Sequence, residues 1–392
     1  MTAPLPVVEL PASLSRAIAA GHPWVYRDHV PKHFKAATGS WVRVVSGPVS
    51  AVALWDAESP LALRIFSRDR VPDAAFVEER VRDALALRRA MGVVDAASAY
   101  RWIGGEGDGL PGIFADRYAA FAVVTADGAA VASIVPQVAE ALARAGELAG
   151  VVEKRRRGED GERLVTLWGR PPPRELLVEE NGLRFRADLY EGQKTGLFLD
   201  QRDNRATIER LSNGRTVLNL FGYTGAFSVY AARGGAARVA TVDIAEGAIA
   251  AARENFTLNG FDPDAYDFAA MDVFEYLRAA AERRERFDLV ISDPPSFARS
   301  RAHRDRALKA YTRLHAAALA VTAPDGLYAA SSCTTQVSPE AFRATLAEGA
   351  RKARRVLQLV HDAGHAPDHP VLAGHPEGRY LKFMVARAVP AV

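Results

Sequence analysis

Hydrophobic and polar positions change rhythm along this chain. Within residues 1–72, "SWVRVVS", "VSAVALWD" and "LALRIFSR" are short β-branched or apolar runs separated by Gly, Pro or Asp. Such runs with such breaks are strands, and several in succession predict a small β-barrel. Phe76 to Ala90 takes helical spacing, with Val77, Val81 and Leu85 four apart. "WIGGEGDGLPGIFADRY" then gathers Gly104, Gly105, Gly107, Gly109 and Gly112 into one turn-rich stretch. "FAVVTAD" predicts a strand, and Ser133 to Ala149 a helix with Pro136 near its start. Pro171-Pro172-Pro173 cannot continue a helix and marks a boundary or rigid connector.

From Leu176 the pattern becomes αβ alternation. "RTVLNLF", "ARVATVD", "YDFAAMD", "FDLVISD" and "GLYAASS" are apolar runs, and helical stretches lie between them at Ala226–Arg233, Glu246–Leu258, Val273–Arg284 and Lys309–Val321. Strands buried on both faces read as near-continuous apolar runs, so this predicts a parallel sheet covered by helices. The expected architecture is α/β. A small barrel occupies 1–72, a central α+β domain 73–175 and a Rossmann-like domain 176–392.

Composition narrows the function classes. A hydrophobic share of 49% and a charged share of 25% over 392 residues belong to a globular protein with more than one core. The only cysteine, Cys333, excludes an intramolecular disulfide and a multi-thiolate metal site. No apolar run is long enough to span a bilayer, and the N-terminus lacks the charged start and apolar stretch of a signal peptide, so a cytoplasmic location is expected. A net charge of +3 says little about nucleic acid. Local basic runs say more: Lys154-Arg155-Arg156-Arg157, then Arg299, Arg301, Arg304 and Arg306, then Arg351, Lys352, Arg354 and Arg355. Each reads as a solvated face or a phosphate-binding strip.

In a parallel α/β sheet, ligands bind beyond the carboxyl ends of the strands. After the first run comes "NLFGYTGAF", with Gly222 and Gly225. Its spacing is not that of a pyrophosphate loop, and no Lys-Ser/Thr pair follows. The second run ends at Asp243, about 20 residues past the glycine turn, where an acid accepts from ribose hydroxyls. The third ends at Met271-Asp272, placed for a purine amino group, and the fourth at Asp293-Pro294-Pro295. This succession resembles the layout of the class I S-adenosylmethionine-dependent methyltransferases.

Two consecutive prolines fix φ and remove two amide donors, making a rigid ledge after Asp293. Phe297 offers a flat surface beside it. Enzymes that modify a base hold it flat between apolar surfaces. Cys333, in "SSCTT", falls just beyond the fifth apolar run, and Ser338 with Pro339 caps the helix that follows. That puts the thiol in a strand-to-helix loop at the ligand edge. A thiolate adding at C6 of a pyrimidine makes C5 nucleophilic, which is covalent catalysis. A small buried hydrophobe is the competing reading of a lone cysteine.

Longer stretches resemble the bacterial ribosomal RNA cytosine-C5 methyltransferases of the large-subunit methyltransferase I type. "GHPWVYRDHV" resembles the opening of their PUA RNA-binding domain, "GGEGDGLPGIFADRY" their central domain, and "ENGLRFRADLYEGQKTGLFLDQRDNR" the lead into their catalytic domain. "LNLFGYTGAFSVYAARGGA" resembles their cofactor loop, and "DAGHAPDHPVLAGHPEGRYLKF" their C-terminal stretch. The resemblance implies S-adenosyl-L-methionine as cofactor and C5 methylation of a cytidine in 23S rRNA or a large-subunit assembly intermediate. It implies Cys333 as nucleophile and Asp293 as the acid facing the cytosine N3/N4 edge. It also implies a cofactor pocket lined by Phe198, Arg202, Phe221, Gly222, Tyr223, Asp243, Ile244, Asp272, Asp293 and Pro294. The segment Gln193 to Arg202 would close that pocket from the side.

Position 296 is Ser where some relatives carry Lys, so no catalytic role is given to it. The second cysteine that commoner RNA cytosine-C5 enzymes place in the Asp-Pro-Pro loop is absent, which leaves the C5 proton without an assigned base. His361, His365 and His369 are four apart, but Gly364, Pro367 and Pro370 rule out a helix that would align them, and no metal is expected. Uracil C5, a base amino group, and RNA binding without catalysis stay open as alternative functions, and so does a homodimer as the assembly.

Overall fold

The computed structural model describes residues 4–155, 163–192, 196–298 and 301–391. Arg156, Arg157, Gln193, Lys194, Thr195 and Arg299 lie outside the described residues, as does the Arg301 side chain. The chain forms two compact units. The first holds Met1–Gly182, Ala187–Leu199 and Pro367–Gly378; the second holds Leu183–Arg186, Asp200–Ala366 and Arg379–Val392.

The first unit contains two five-stranded sheets. The N-terminal sheet runs, in spatial order, Val7–Glu9, Trp41–Ser46, Val49–Trp55, Leu61–Ser67 and Trp24–Tyr26. Strict alternation along Trp41–Ser46 turns Val42 and Val44 into a core shared with Val25, Ala53, Trp55 and Leu63. The other sheet runs Leu164–Gly169, Gly150–Lys154, Phe121–Ala126, Ile113–Tyr118 and Ala99–Gly104. Helices Ala74–Ala90 and Val135–Ala145 contribute to its core. The glycine-rich stretch is less turn-like than its composition suggests. Trp102, Ile103, Ile113 and Ala115 are fully buried in two strands, and the turn is confined to the residues between them. There Gly105, Gly109 and Gly112 take φ of +61°, +71° and +81°, which a side chain would resist. The helix expected over Ser133–Ala149 is shorter, at Val135–Ala145, with a single turn at Ala129–Ala132 before it.

Arg88 is the largest charge sealed inside this unit. Its guanidinium meets the Asp108 carboxylate with two bonds, of 2.6 and 2.7 Å, and donates to the carbonyls of Arg101, Ala84 and Asp368. The Asp368 carboxylate accepts from the amide of Arg101, so the returning segment 367–378 is pinned to the sheet.

The second unit is built on a seven-stranded sheet: β1 (Thr216–Leu220), β2 (Arg238–Asp243), β3 (Asp267–Ala270), β4 (Phe287–Ser292), β5 (Thr322–Ser332), β6 (Arg355–Ala363) and β7 (Lys382–Pro390), in spatial order β3-β2-β1-β4-β5-β7-β6. The first five strands are parallel, as the apolar runs predict, and β7 is antiparallel to both β5 and β6. Helices α1 (Arg202–Leu211), α2 (Ala226–Arg233), α3 (Glu246–Leu258), α4 (Val273–Glu282), α5 (Arg304–Val321) and α6 (Pro339–Lys352) complete the unit. Ser338 caps α6, its Oγ accepting from the Ala341 amide, with Pro339 at the first helical position. Strand order reverses between β1 and β4, so their following loops diverge and open a crevice at the carboxyl edge. β4 and β5 are neighbours, which brings the Asp293 loop and Cys333 to adjacent strand ends.

Asp108→Ala would leave the Arg88 charge buried without a counter-ion. Loss of one partner of a buried pair costs about 3–5 kcal/mol. All five tryptophans (Trp24, Trp41, Trp55, Trp102 and Trp168) lie in the first unit. Urea unfolding followed by tryptophan fluorescence should therefore show a large drop in midpoint for this variant.

Candidate active site at the carboxyl edge of the sheet

The loop after β1 is shaped by more than its glycines. Gly225 does supply a left-handed turn, with φ +76°, and a Cβ there would come within 2.8 Å of Ala252 Cβ. At Gly222 the constraint is space: a Cβ would lie 2.6 Å from Thr241 Cγ2. The strained backbone belongs to its neighbours, Phe221 at φ 58° and Tyr223 at φ 46°. Each such residue costs roughly 1–3 kcal/mol, and strain of this kind collects at ligand sites. It is held by the Gly222 amide on Val242 O at 2.9 Å and the Tyr223 amide on Asp243 Oδ2 at 2.9 Å.

Asp243 therefore shapes the loop as well as facing outward. Its other oxygen, Oδ1, accepts from the Ala245 amide at 3.0 Å. Ile244 beside it is 72% exposed, an unusual position for a large aliphatic side chain next to a strand end. Asp272 is the N-cap of α4: Oδ1 accepts from Phe274 and Glu275, while Oδ2 has no partner among the described residues.

The Asp293 loop and the end of β5 are joined by hydroxyls. Ser332 Oγ donates to Tyr311 Oη at 2.9 Å, Tyr311 Oη bonds Thr334 Oγ1 at 2.7 Å, and Thr334 Oγ1 lies 3.2 Å from Ser296 Oγ. Ser296 also donates to Ala298 O. Burial pushes the Tyr311 phenol up to about 12, so it stays neutral and serves as a fixed relay. Phe297, half-buried, rests its ring on Tyr311 with centroids 4.7 Å apart. Cys333, between Ser332 and Thr334, is partly exposed, unlike the fully buried residues on either side.

Gln201 is a residue the sequence did not single out. Its buried amide donates to Asp293 Oδ2 at 3.1 Å and to Ser331 Oγ at 2.9 Å, and its oxygen accepts from Asn204. That fixes the orientation of Asp293 from the start of α1. Arg202 is buried at the first position of α1, its Nε 3.3 Å from Asp203 Oδ1. Phe198 belongs to the first unit. Lys382 was equally unmarked. It opens β7, is buried, and donates to Thr334 O at 2.7 Å and to Tyr380 O at 2.8 Å. Both act on partners far along the chain, so spacing carries no signal of them.

The basic runs are mostly spoken for. Lys154 is buried and donates to Gly192 O, its amine lowered to about 8 by burial, and Arg155 pairs with Glu153. Arg351 and Lys352 pair with Glu348. Arg304 and Arg306 stand exposed at the start of α5, just past the Asp293 loop. His365 accepts from the Leu381 amide, whereas His369 belongs to the first unit. His369 meets Asp368 at 3.3 Å, and among the described residues the group of three whose possible ligand atoms lie within 4.8 Å of one another is His22, His375 and Glu377, in the first unit.

Comparison with known proteins agrees with this geometry. The S-adenosylmethionine-dependent methyltransferase family matches residues 124–380, and a PUA-like domain matches residues 8–68. The chain is 35% identical to "Ribosomal RNA large subunit methyltransferase I" of Tolumonas auensis, over 97% of this chain and 99% of that protein. It is 38% identical to "Ribosomal RNA large subunit methyltransferase" of Deinococcus radiodurans, over 93% of each. Among solved structures, a chain assigned to the SAM-dependent methyltransferases of Streptococcus mutans superposes with TM-score 0.87 at 24% identity, covering 98% of this chain and 100% of that one. Another, solved with S-adenosylhomocysteine, gives TM-score 0.87 at 25% identity over 97% and 100%. The chain thus belongs to the S-adenosylmethionine-dependent methyltransferases, in the family that holds the large-subunit ribosomal RNA enzymes, and S-adenosylmethionine is its cofactor.

Proposed function

We propose that this chain methylates C5 of a cytosine in large-subunit ribosomal RNA through a transient bond between Cys333 Sγ and C6 of the base. The observation that carries the reading is the hydroxyl chain Ser332–Tyr311–Thr334–Ser296, which ties the strand end bearing the lone thiol to the Asp293-Pro294-Pro295 ledge.

The carboxyl edge fits the cofactor. The space constraint at Gly222 lets the backbone approach a ligand closely. Asp243 has one amide on each oxygen and a lone pair left on each for two ribose hydroxyls. Ile244 offers exposed apolar surface for an adenine face, and Asp272 Oδ2 is an acceptor for its amino group. Phe221, Tyr223 and Pro294 complete the lining, with Arg202 carried over from the resemblance. When bound, S-adenosylmethionine supplies an electrophilic methyl group on a sulfonium.

The chain's own residues prepare the base. Asp293, oriented by Gln201, accepts from the cytosine amino group; a uracil would present an oxygen there and be repelled. The rigid ledge and Phe297 hold the ring flat. The thiolate of Cys333 forms an Sγ–C6 bond and the C5=C6 electron pair moves to C5, which would take the methyl carbon as the methyl–sulfonium bond breaks and its electron pair leaves on a neutral thioether. Loss of the C5 proton to solvent water returns that pair to C5=C6 and expels the thiolate. Ser296, to which no catalytic role is given, has its hydroxyl held between Ala298 O and Thr334.

Large-subunit RNA carrying 5-fluorocytidine has no C5 proton to lose, so the adduct should accumulate. With S-adenosylmethionine, wild-type protein should give a covalent complex on a denaturing gel, and Cys333→Ala none. Absence of the complex together with persistent methyl transfer by Cys333→Ala would remove this reading. Asp243→Asn should weaken S-adenosylmethionine binding by about ten- to a hundred-fold in calorimetry, the worth of one to two charge-assisted hydrogen bonds, while Cys333→Ala binds normally.

A further inference from the structure

Lys382 is a buried cation with no carboxylate partner among the described residues. No described Asp or Glu forms an ion pair with it, and the residue is 1% exposed. Two of its three donors are fixed on Thr334 O and Tyr380 O. Neutral carbonyls do not balance a charge removed from water, and buried charges are paired or pay heavily. The register of β5 and β7 sets Lys382 directly across from Ser332, one residue before the thiol. The Nζ bond to Thr334 O, one residue after it, brackets Cys333 from the other side. The geometry leaves one anion that this cation can serve.

We propose that Lys382 holds Cys333 as a preformed ammonium–thiolate pair, and so is the positioning residue that readies the nucleophile. The proposal rests on the C5 reading above and deepens it. The proton leaves Sγ and goes to Nζ, and no other bond changes. When Sγ bonds C6, Lys382 keeps that proton; when the adduct collapses, the thiolate returns to its counter-ion. Among the described residues, the other titratable groups near the thiol are Tyr311 from α5, neutral, with its hydroxyl accepting from Ser332 and bonded to Thr334, and Asp293 at the adjacent end of β4, whose charge would oppose a thiolate. The cation therefore has to outweigh a neighbouring carboxylate. Burial lowers the Lys382 amine to about 8, and the Cys333 charge acts against that fall, as a paired anion does.

Because Cys333 is the sole cysteine, alkylation by iodoacetamide reads this one thiol. In wild-type protein the rate should rise through a midpoint at least one pH unit below the roughly 8.5 of a free cysteine. Lys382→Met should move the midpoint up by a unit or more, and Lys382→Arg, permanently charged, should keep it low. Unchanged binding of S-adenosylmethionine by calorimetry shows that each variant is folded. A wild-type midpoint at or above 8.5 overturns the proposal whatever the variants do, and so do equal midpoints in wild type and a folded Lys382→Met. A low, lysine-dependent midpoint in a protein that forms no complex with 5-fluorocytidine RNA would sustain the ion pair and remove the C5 chemistry instead.

Discussion

The catalytic unit depends on the antiparallel pairing of β7 against β5, with Ser332 opposite Lys382. Five parallel strands alone would leave β5 at an edge and its carboxyl end open. β7 closes that edge and delivers a lysine beneath the Cys333 loop. From Lys382 a continuous series of bonds leads around the site. Its ammonium holds the carbonyls of Thr334 and Tyr380; the Tyr380 hydroxyl bonds Asp200 Oδ2 at 2.6 Å; the next residue, Gln201, orients Asp293. The two residues assigned to chemistry, Cys333 and Asp293, are thus set by one strand pair.

The strained loop after β1 is the other fixed point. Phe221 and Tyr223 hold left-handed backbone because Asp243 and Val242 accept their neighbourhood's amides, and Gly222 leaves room for Thr241. An acid that binds ribose hydroxyls in the proposed site is therefore also the brace of the glycine turn. Asp243 is hard to replace for two reasons, and only a binding measurement beside a folding measurement separates them.

Much of this was legible in the sequence because it is local. The ends of α2 and α3, the cap at Ser338 and the acids at strand ends follow from periodicity and cap chemistry. The alternation of apolar runs with helices implied the parallel sheet. What the sequence concealed is non-local. Gln201 and Lys382 look like an ordinary helix start and an ordinary strand start, and their meaning lies in partners far along the chain. Tyr311 reads as one more apolar residue of α5 until its hydroxyl is placed. At Gly222 the sequence shows the glycine but not its reason, which is the lack of a side chain beside Thr241 rather than its φ. Lys154 belongs with it: counted among a basic run, it is folded inward onto Gly192.

The reading of the site turns on where the methyl group goes. Transfer to C5 must release the hydrogen that C5 carried, whereas transfer to an amino group or to a ring nitrogen leaves it in place. Large-subunit RNA labelled with tritium at cytosine C5, incubated with this protein and S-adenosylmethionine, decides between them. The account predicts tritium in water in step with methyl groups transferred, one for one. Methyl transfer with the tritium retained in the RNA would contradict it.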